Sequence, residues 1–234
     1  MGKIWAVCSG SGGVGKSTIA LSLAVGAANA GKKTILLDAS GISRSCDLTL
    51  GLESIVVLDM VDVIARQADI QAALYRVPRH EGLRFACASL HEGVPLSELS
   101  TIKPALCALC DVLVVDLPTG QLDLGLMRRE DVRIVVTRPD DASMRAAERL
   151  MMNAEGREAG MYLAINRISR ACVRAGTQYD VQTVETILDC PSLAAIAEDE
   201  AVMAAARKAR AAIEGSGQMR TALNAMVNAL LKMA

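Results

Sequence analysis

The sequence predicts one α/β domain over residues 1–234, a mostly parallel, twisted sheet flanked by helices on both faces. Three observations predict it. Short apolar runs alternate with segments of helical length. Those runs are continuous rather than alternating, the pattern of strands buried on both faces. No linker-like, low-complexity or repeated stretch divides the 234 residues, so one large core is expected. Hydrophobic residues are 52% and aromatics only 2%, so that core must be built from Val, Ile, Leu, Ala and Met.

Taken in order, "KIWAV" (3–7) reads as a strand that runs into a glycine-rich turn. Residues 16–30 read as a helix stopped by Gly31. "KTILLD" (33–38) is a buried strand ending in Asp38, and 58–74 is one helix or two. "LRFACA" (83–88) is a strand, and 100–110 is helical after its proline. "DVLVVDLP" (111–118) is the most apolar strand and carries Asp116 at its end. Residues 131–137 form a strand, 140–154 a helix with an Asp N-cap, and 161–167 another strand. "VETILD" (184–189) reads as a short last strand, and helices over 194–213 and 218–232 close the chain.

Composition narrows the function. A net charge of −1 gives no global field toward nucleic acid or acidic lipid. No run of 18 apolar residues is present, and the amino-terminal apolar run is too short for a signal peptide, so a cytoplasmic location is expected. Seven scattered cysteines suggest buried thiols rather than a disulfide framework.

The chemistry is carried by "GSGGVGKST", Gly10–Thr18, whose spacing Gly10-x-x-x-x-Gly15-Lys16-Ser17 is that of a phosphate-binding loop between a strand and a helix. Glycines let successive N–H groups turn inward on phosphate oxygens, and the helix N-terminus adds positive potential. Lys16 would reach the β- and γ-phosphates, and the Ser17 hydroxyl would bind Mg²⁺. Asp116, ending the most buried strand, would hold Mg²⁺ through water; the alternative is a turn-capping aspartate. Asp38 ends a neighbouring strand and would act near Mg²⁺, or simply bond the loop backbone.

The loop resembles the deviant phosphate loop of the MinD/ParA family, usually written GKGGVGKTT, and the resemblance covers nearly the whole chain. Residues 31–53 are similar to the family's second strand and first switch, "VVDLPTG" (114–120) to its second switch, and "DCPSLAAIAEDEAVMAA" (189–205) to the segment usually written IPED. It points to MinD more than to ParA. It implies ATP or ADP with Mg²⁺ as ligand, cradled by Gly10, Ser11, Gly12, Gly13, Val14, Gly15, Lys16, Ser17 and Thr18. Asn166 and Arg167 would hold and flank the adenine, and Pro191 and Ser192 are further nucleotide-binding candidates; an ordinary strand-end Asn is the alternative for Asn166. The expected catalytic set is Lys16, Asp38 and Asp116. The resemblance further implies an ATP-dependent homodimer, a protein partner at the cell pole, septum or envelope, and recruitment to the inner face of the membrane.

Two positions depart from the family. Its signature lysine, which crosses an ATP-bound dimer to the partner's phosphates, falls at Ser11, and its switch-one aspartate falls at Ser40. Losing a cation beside the γ-phosphate costs roughly 3 kcal/mol or more of transition-state stabilisation. Slow or absent hydrolysis with retained binding is therefore expected, a pattern also met in the TadZ/CpaE pilus-assembly branch. Arg44 could replace the absent cation. An active MinD/ParA-type switching ATPase is the first alternative. A metal-cluster carrier ATPase using Cys107 and Cys110 of "CALC" is the second, although a single C-x-x-C pair reads better as buried thiols. His80 and His91 look like surface residues. The apolar stripe of the last helix reads as sheet packing, with membrane or partner contact as the alternative. The "ARKAR" cluster (206–210) reads as a solvated face, so DNA binding is not expected.

Overall fold

The computed structural model describes residues 1–41, 45–90, 96–122, 131–153, 160–199 and 208–233. In chain order the elements are β1 (Lys3–Cys8), α1 (Lys16–Asn29), β2 (Thr34–Asp38), α2 (Ser45–Leu50), α3 (Met60–Ile64), β3 (Tyr75–Arg76), β4 (Leu83–Cys87), α4 (Leu96–Ala108), β5 (Val112–Asp116), β6 (Val132–Thr137), α5 (Asp141–Met152), β7 (Met161–Ile168), α6 (Arg170–Arg174), α7 (Val181–Leu188), β8 (Ser192–Ala197), a 3₁₀ turn (Ala212–Glu214) and α8 (Gly217–Lys232).

Eight strands form one sheet in the order β3-β4-β2-β5-β1-β6-β7-β8. Every pairing is parallel except the two-residue β3 against β4. The strands are apolar on both faces because both are covered. In β1, Trp5 and Val7 join the core beneath α1 and α8, while Ile4, Ala6 and Cys8 join the core beneath α4 and α5. β2 and β5 split in the same way, with Leu36 and Val114 on the first side and Leu37 and Val115 on the second. α1 is buried nearly all round because α8 lies beside it on the same face of the sheet, packing Leu223, Met226, Val227 and Leu230 into the core shared by α1 and β8. The stripe of the last helix is thus spent on packing.

The carboxyl half departs from expectation. "VETILD" is helical, not a strand, despite its β-branched residues. Asp180 caps it by accepting from Thr183 N at 2.8 Å, and Val184 and Leu188, four apart, bury one face. The last strand instead begins at Ser192, where an Ala-rich run of helical appearance pairs with β7, so tertiary context overrides propensity. The expected helix over 194–213 is therefore a strand at its start and a 3₁₀ turn near its end, and residues 200–207 lie outside the described ones. Of 58–74 only Met60–Ile64 is helical, α4 carries Pro104 inside it, and β3 is a strand the sequence reading lacks.

Candidate nucleotide site

The strand order reverses direction at β1. From there the chain moves to β2 on one side of β5, and later to β6 on the other side of β1. Ligands bind outside the carboxyl ends of strands at such a point, and Gly10–Lys16 turns there. The register places Val7 opposite Asp116 and Asp38 opposite Asp116, so both aspartates end their strands level with the loop. Leu117 N donates to Val7 O at 3.0 Å, Ala39 N to Asp116 O at 2.9 Å, and Gly120 N to Ser9 O at 2.8 Å. Backbone bonds thus tie both switch strands to the loop.

Two glycines of the loop are required by their surroundings. Gly10 lies against the backbone of Ala146 in α5, where a Cβ would collide with the carbonyl. Gly15 holds a left-handed φ of 96°, and a Cβ there would strike the Asn166 amide. Asn166 Nδ2 donates to Val14 O at 2.7 Å, bracing the loop from the end of β7. α1 starts with no side-chain cap and no acidic residue in its first turn, so its free N–H groups face outward. An uncapped helix start beneath a glycine turn is a cradle for an anion.

Below the cradle, Lys16 is buried and its Nζ lies 2.5 Å from Asp116 Oδ1. Asp116 is wholly buried, and that burial pushes its carboxyl pKa upward; the Lys16 charge opposes the rise, the Asp38 charge adds to it, and hydrogen bonds from Lys16 and Ser17 oppose it. Asp38 Oδ1 accepts from Ser40 N at 3.0 Å and from Ser40 Oγ at 2.6 Å. Asp38 Oδ2 and Ser9 Oγ are buried without a hydrogen-bond partner among the described residues. Cys46, in α2, points its Sγ at Asp116 Oδ2 from 3.8 Å. Burial first, and the two carboxylates next, raise its thiol pKa well above the ordinary value.

The structure therefore brings Gly10, Gly15, Lys16, Ser17, Asp38, Asp116 and Asn166 to one edge of the sheet. Ser11 is half-buried there, Val14 is buried, Gly12 and Gly13 are exposed, and Thr18 follows in the first turn of α1. Arg167 is at the same edge, exposed and in the left-handed region at φ 56°. Pro191 and Ser192 are not with them. They open β8, with Ser192 opposite Leu163, whereas the loop-side end of β8 is Ala197 opposite Ile168. In a parallel sheet the amino end of a strand lies at the far edge, so Ala197 and Glu198 flank Arg167 instead. A groove of about 1110 Å³, lined by Ile168, Ser169, Arg170, Ala197 and Glu198 among others, opens at that point.

Cys46 is the neighbour of the site that the sequence reading overlooked; its only signal was its place eight residues after Asp38. Arg44 lies outside the described residues, as does His91. His80 is buried, not superficial: its Nδ1 lies 3.2 Å from Asn29 Oδ1 and its Nε2 3.7 Å from Glu214. Cys107 and Cys110 sit at the opposite edge of the sheet, where Gly2 N bonds Cys107 O and Lys3 N bonds Asp111 O. Both are buried, and burial pushes the Cys110 thiol up to about 12. No helix among the described residues is long and apolar enough to cross a membrane.

Known proteins share this fold and sequence. The CobQ/CobB/MinD/ParA nucleotide binding domain matches residues 5–211. The septum site-determining protein MinD of Helicobacter pylori is 30% identical over 222 residues, covering 89% of this chain and 82% of that protein. Among solved structures, a chain of the MinC:MinD cell division protein complex of Aquifex aeolicus superposes with a TM-score of 0.85 at 23% identity, covering 98% of this chain and 96% of that one. MinD complexed with Mg-ADP from Pyrococcus horikoshii superposes at 0.84 and 21% identity, covering 100% and 97%. A phosphate loop at the sheet's switch point, with two carboxylates level with it, is thus set in a shared fold, and the chain belongs to the CobQ/CobB/MinD/ParA nucleotide-binding domain family as a P-loop protein of MinD/ParA type.

Proposed function

We propose that this chain binds ATP–Mg²⁺ and holds it with little or no hydrolysis, acting as a nucleotide-dependent dimeric scaffold that positions a partner in cell division or envelope assembly. The observation that carries this reading is a pocket complete for holding phosphate yet neutral at the two positions expected to drive turnover. The uncapped start of α1, the Gly10–Gly15 turn and the buried Lys16 supply N–H groups and a cation for phosphate. Lys16 is paired with Asp116; phosphate would draw it away and leave Asp116 for Mg²⁺ with the Ser17 hydroxyl. The orphaned oxygens of Asp38 and Ser9 fit a site made for a cation and its water. Asn166 Oδ1, buried and without a partner among the described residues, offers an acceptor to an exocyclic amine of the base.

Turnover needs charge at the γ-phosphate and a group that orients water. Ser11 is uncharged. Ser40 brings no carboxylate to that position, and its hydroxyl proton is already donated to Asp38. The relatives named for septum-site determination, and the MinD solved with MinC, support a partner-positioning role at the envelope. The reading is tested by equilibrium binding of ATP–Mg²⁺ together with sedimentation. Micromolar affinity and ATP-dependent dimerisation are expected; a chain that binds ATP yet stays monomeric at every concentration contradicts the scaffold.

A further inference from the structure

Cys46 has no part in holding Mg²⁺–nucleotide, because Mg²⁺ takes oxygen ligands in octahedral geometry and rejects sulfur. Yet it is fully enclosed beside two carboxylates. One ligand atom each from Asp38, Cys46 and Asp116 lies within 4.8 Å of the others, and all three residues are buried. The Cys46 Sγ to Asp116 Oδ2 distance is 3.8 Å. A thiolate and a carboxylate oxygen on one tetrahedral zinc ion stand about 3.5 Å apart, from bond lengths of about 2.3 and 2.0–2.2 Å. Asp38 Oδ2, the oxygen open to Mg²⁺ and its water when nucleotide is bound, has no hydrogen-bond partner among the described residues, although Asp38 is only 3% exposed. A buried carboxylate oxygen so placed is costly unless a cation meets it.

We propose that Asp38, Cys46 and Asp116 form a binding site for one borderline-soft divalent cation of the zinc class, a site distinct in ligand chemistry from the Mg²⁺ position at Ser17. The two oxygens and one sulfur leave the fourth tetrahedral position to water. The cation holds Cys46 as the thiolate, releasing its proton to solvent. Asp116 serves both positions, so a zinc-class cation and ATP–Mg²⁺ compete, and the softer cation favours the nucleotide-free chain.

Cobalt(II) is the probe, added to nucleotide-free, chelator-stripped protein in excess Mg²⁺. One equivalent should bind with near-ultraviolet thiolate-to-cobalt charge-transfer absorption. Cys46→Ser should lose that band and bind at least 10-fold more weakly. Asp38→Asn, which changes little in shape, should keep the band and also bind at least 10-fold more weakly. The paired Cys107→Ser and Cys110→Ser variant should behave as the parent. A band that survives in Cys46→Ser, a band lost in the Cys107/Cys110 variant, or no cobalt bound over excess Mg²⁺ would each overturn the assignment. Because the test uses nucleotide-free protein, its outcome is separate from that of ATP binding.

Discussion

The side of the pocket that cradles phosphate and the side that faces its turnover are built to different standards. On the cradle side, three residues are each fixed by another: Gly15 by Asn166, Gly10 by α5, Lys16 by Asp116. On the switch side, Ser40 is bonded to Asp38, two residues before it, and Ser11 brings a hydroxyl where the family carries a cation. On the proposed reading, the difference lets binding and hydrolysis separate in one fold, because the first draws on backbone geometry and the second on a few charges. Ground-state binding would survive the loss of those charges and transition-state stabilisation would not.

The sharpest way to break that contrast is to restore the charges. Ser11→Lys combined with Ser40→Asp should raise ATP hydrolysis roughly 100-fold, corresponding to about 3 kcal/mol of transition-state stabilisation. Phosphate release in single-turnover conditions measures it, and an unchanged rate would mean the two serines are not the cause of slowness. Attacking the cradle should act on affinity instead. Lys16→Ala removes a charge-assisted contact to phosphate, and calorimetry should show ATP binding weaker by about 30-fold, or about 2 kcal/mol.

Gly15→Ala should destabilise the fold by about 1–3 kcal/mol, since it puts a side chain into a left-handed backbone and against Asn166. Denaturant unfolding reads this directly, and a neutral result would mean the loop is not braced from β7. The smallest effect is in pH. Burial raises the Asp116 pKa in the folded chain, so its proton favours folding fully below the ordinary carboxyl value. That contribution fades as pH rises through the raised pKa. The melting temperature of the parent, relative to Asp116→Asn, should therefore fall from about pH 4 toward neutrality, and a rise would reverse the assigned sign.

The amino half of the fold was legible because its signals are local and agree. Strand, glycine turn and helix follow without a break, and Asp38 and Asp116 each end an apolar run. The carboxyl half was not, because its decisive contacts are distant. Ser192–Ala197 becomes a strand only by lying along β7, and "VETILD" becomes a helix through one capping aspartate and two buried residues. The strand start at Ser192 also sets Ala197 and Glu198, rather than Pro191 and Ser192, at the edge that carries Arg167. Cys46 was invisible for a related reason: only folding brings its sulfur to Asp116, 70 residues away in the chain. His80 looked polar and exposed, yet a contact with Glu214 across the chain encloses it.

The most direct measurement is the fate of labelled ATP on the protein. The chain is incubated with ATP–Mg²⁺, free nucleotide is removed rapidly, and the bound nucleotide is identified over time. Intact ATP that persists on the protein is the predicted result. Conversion to ADP at a rate that rises with protein concentration would contradict it, and would mean that a dimer of this chain has rebuilt the charges that Ser11 and Ser40 lack.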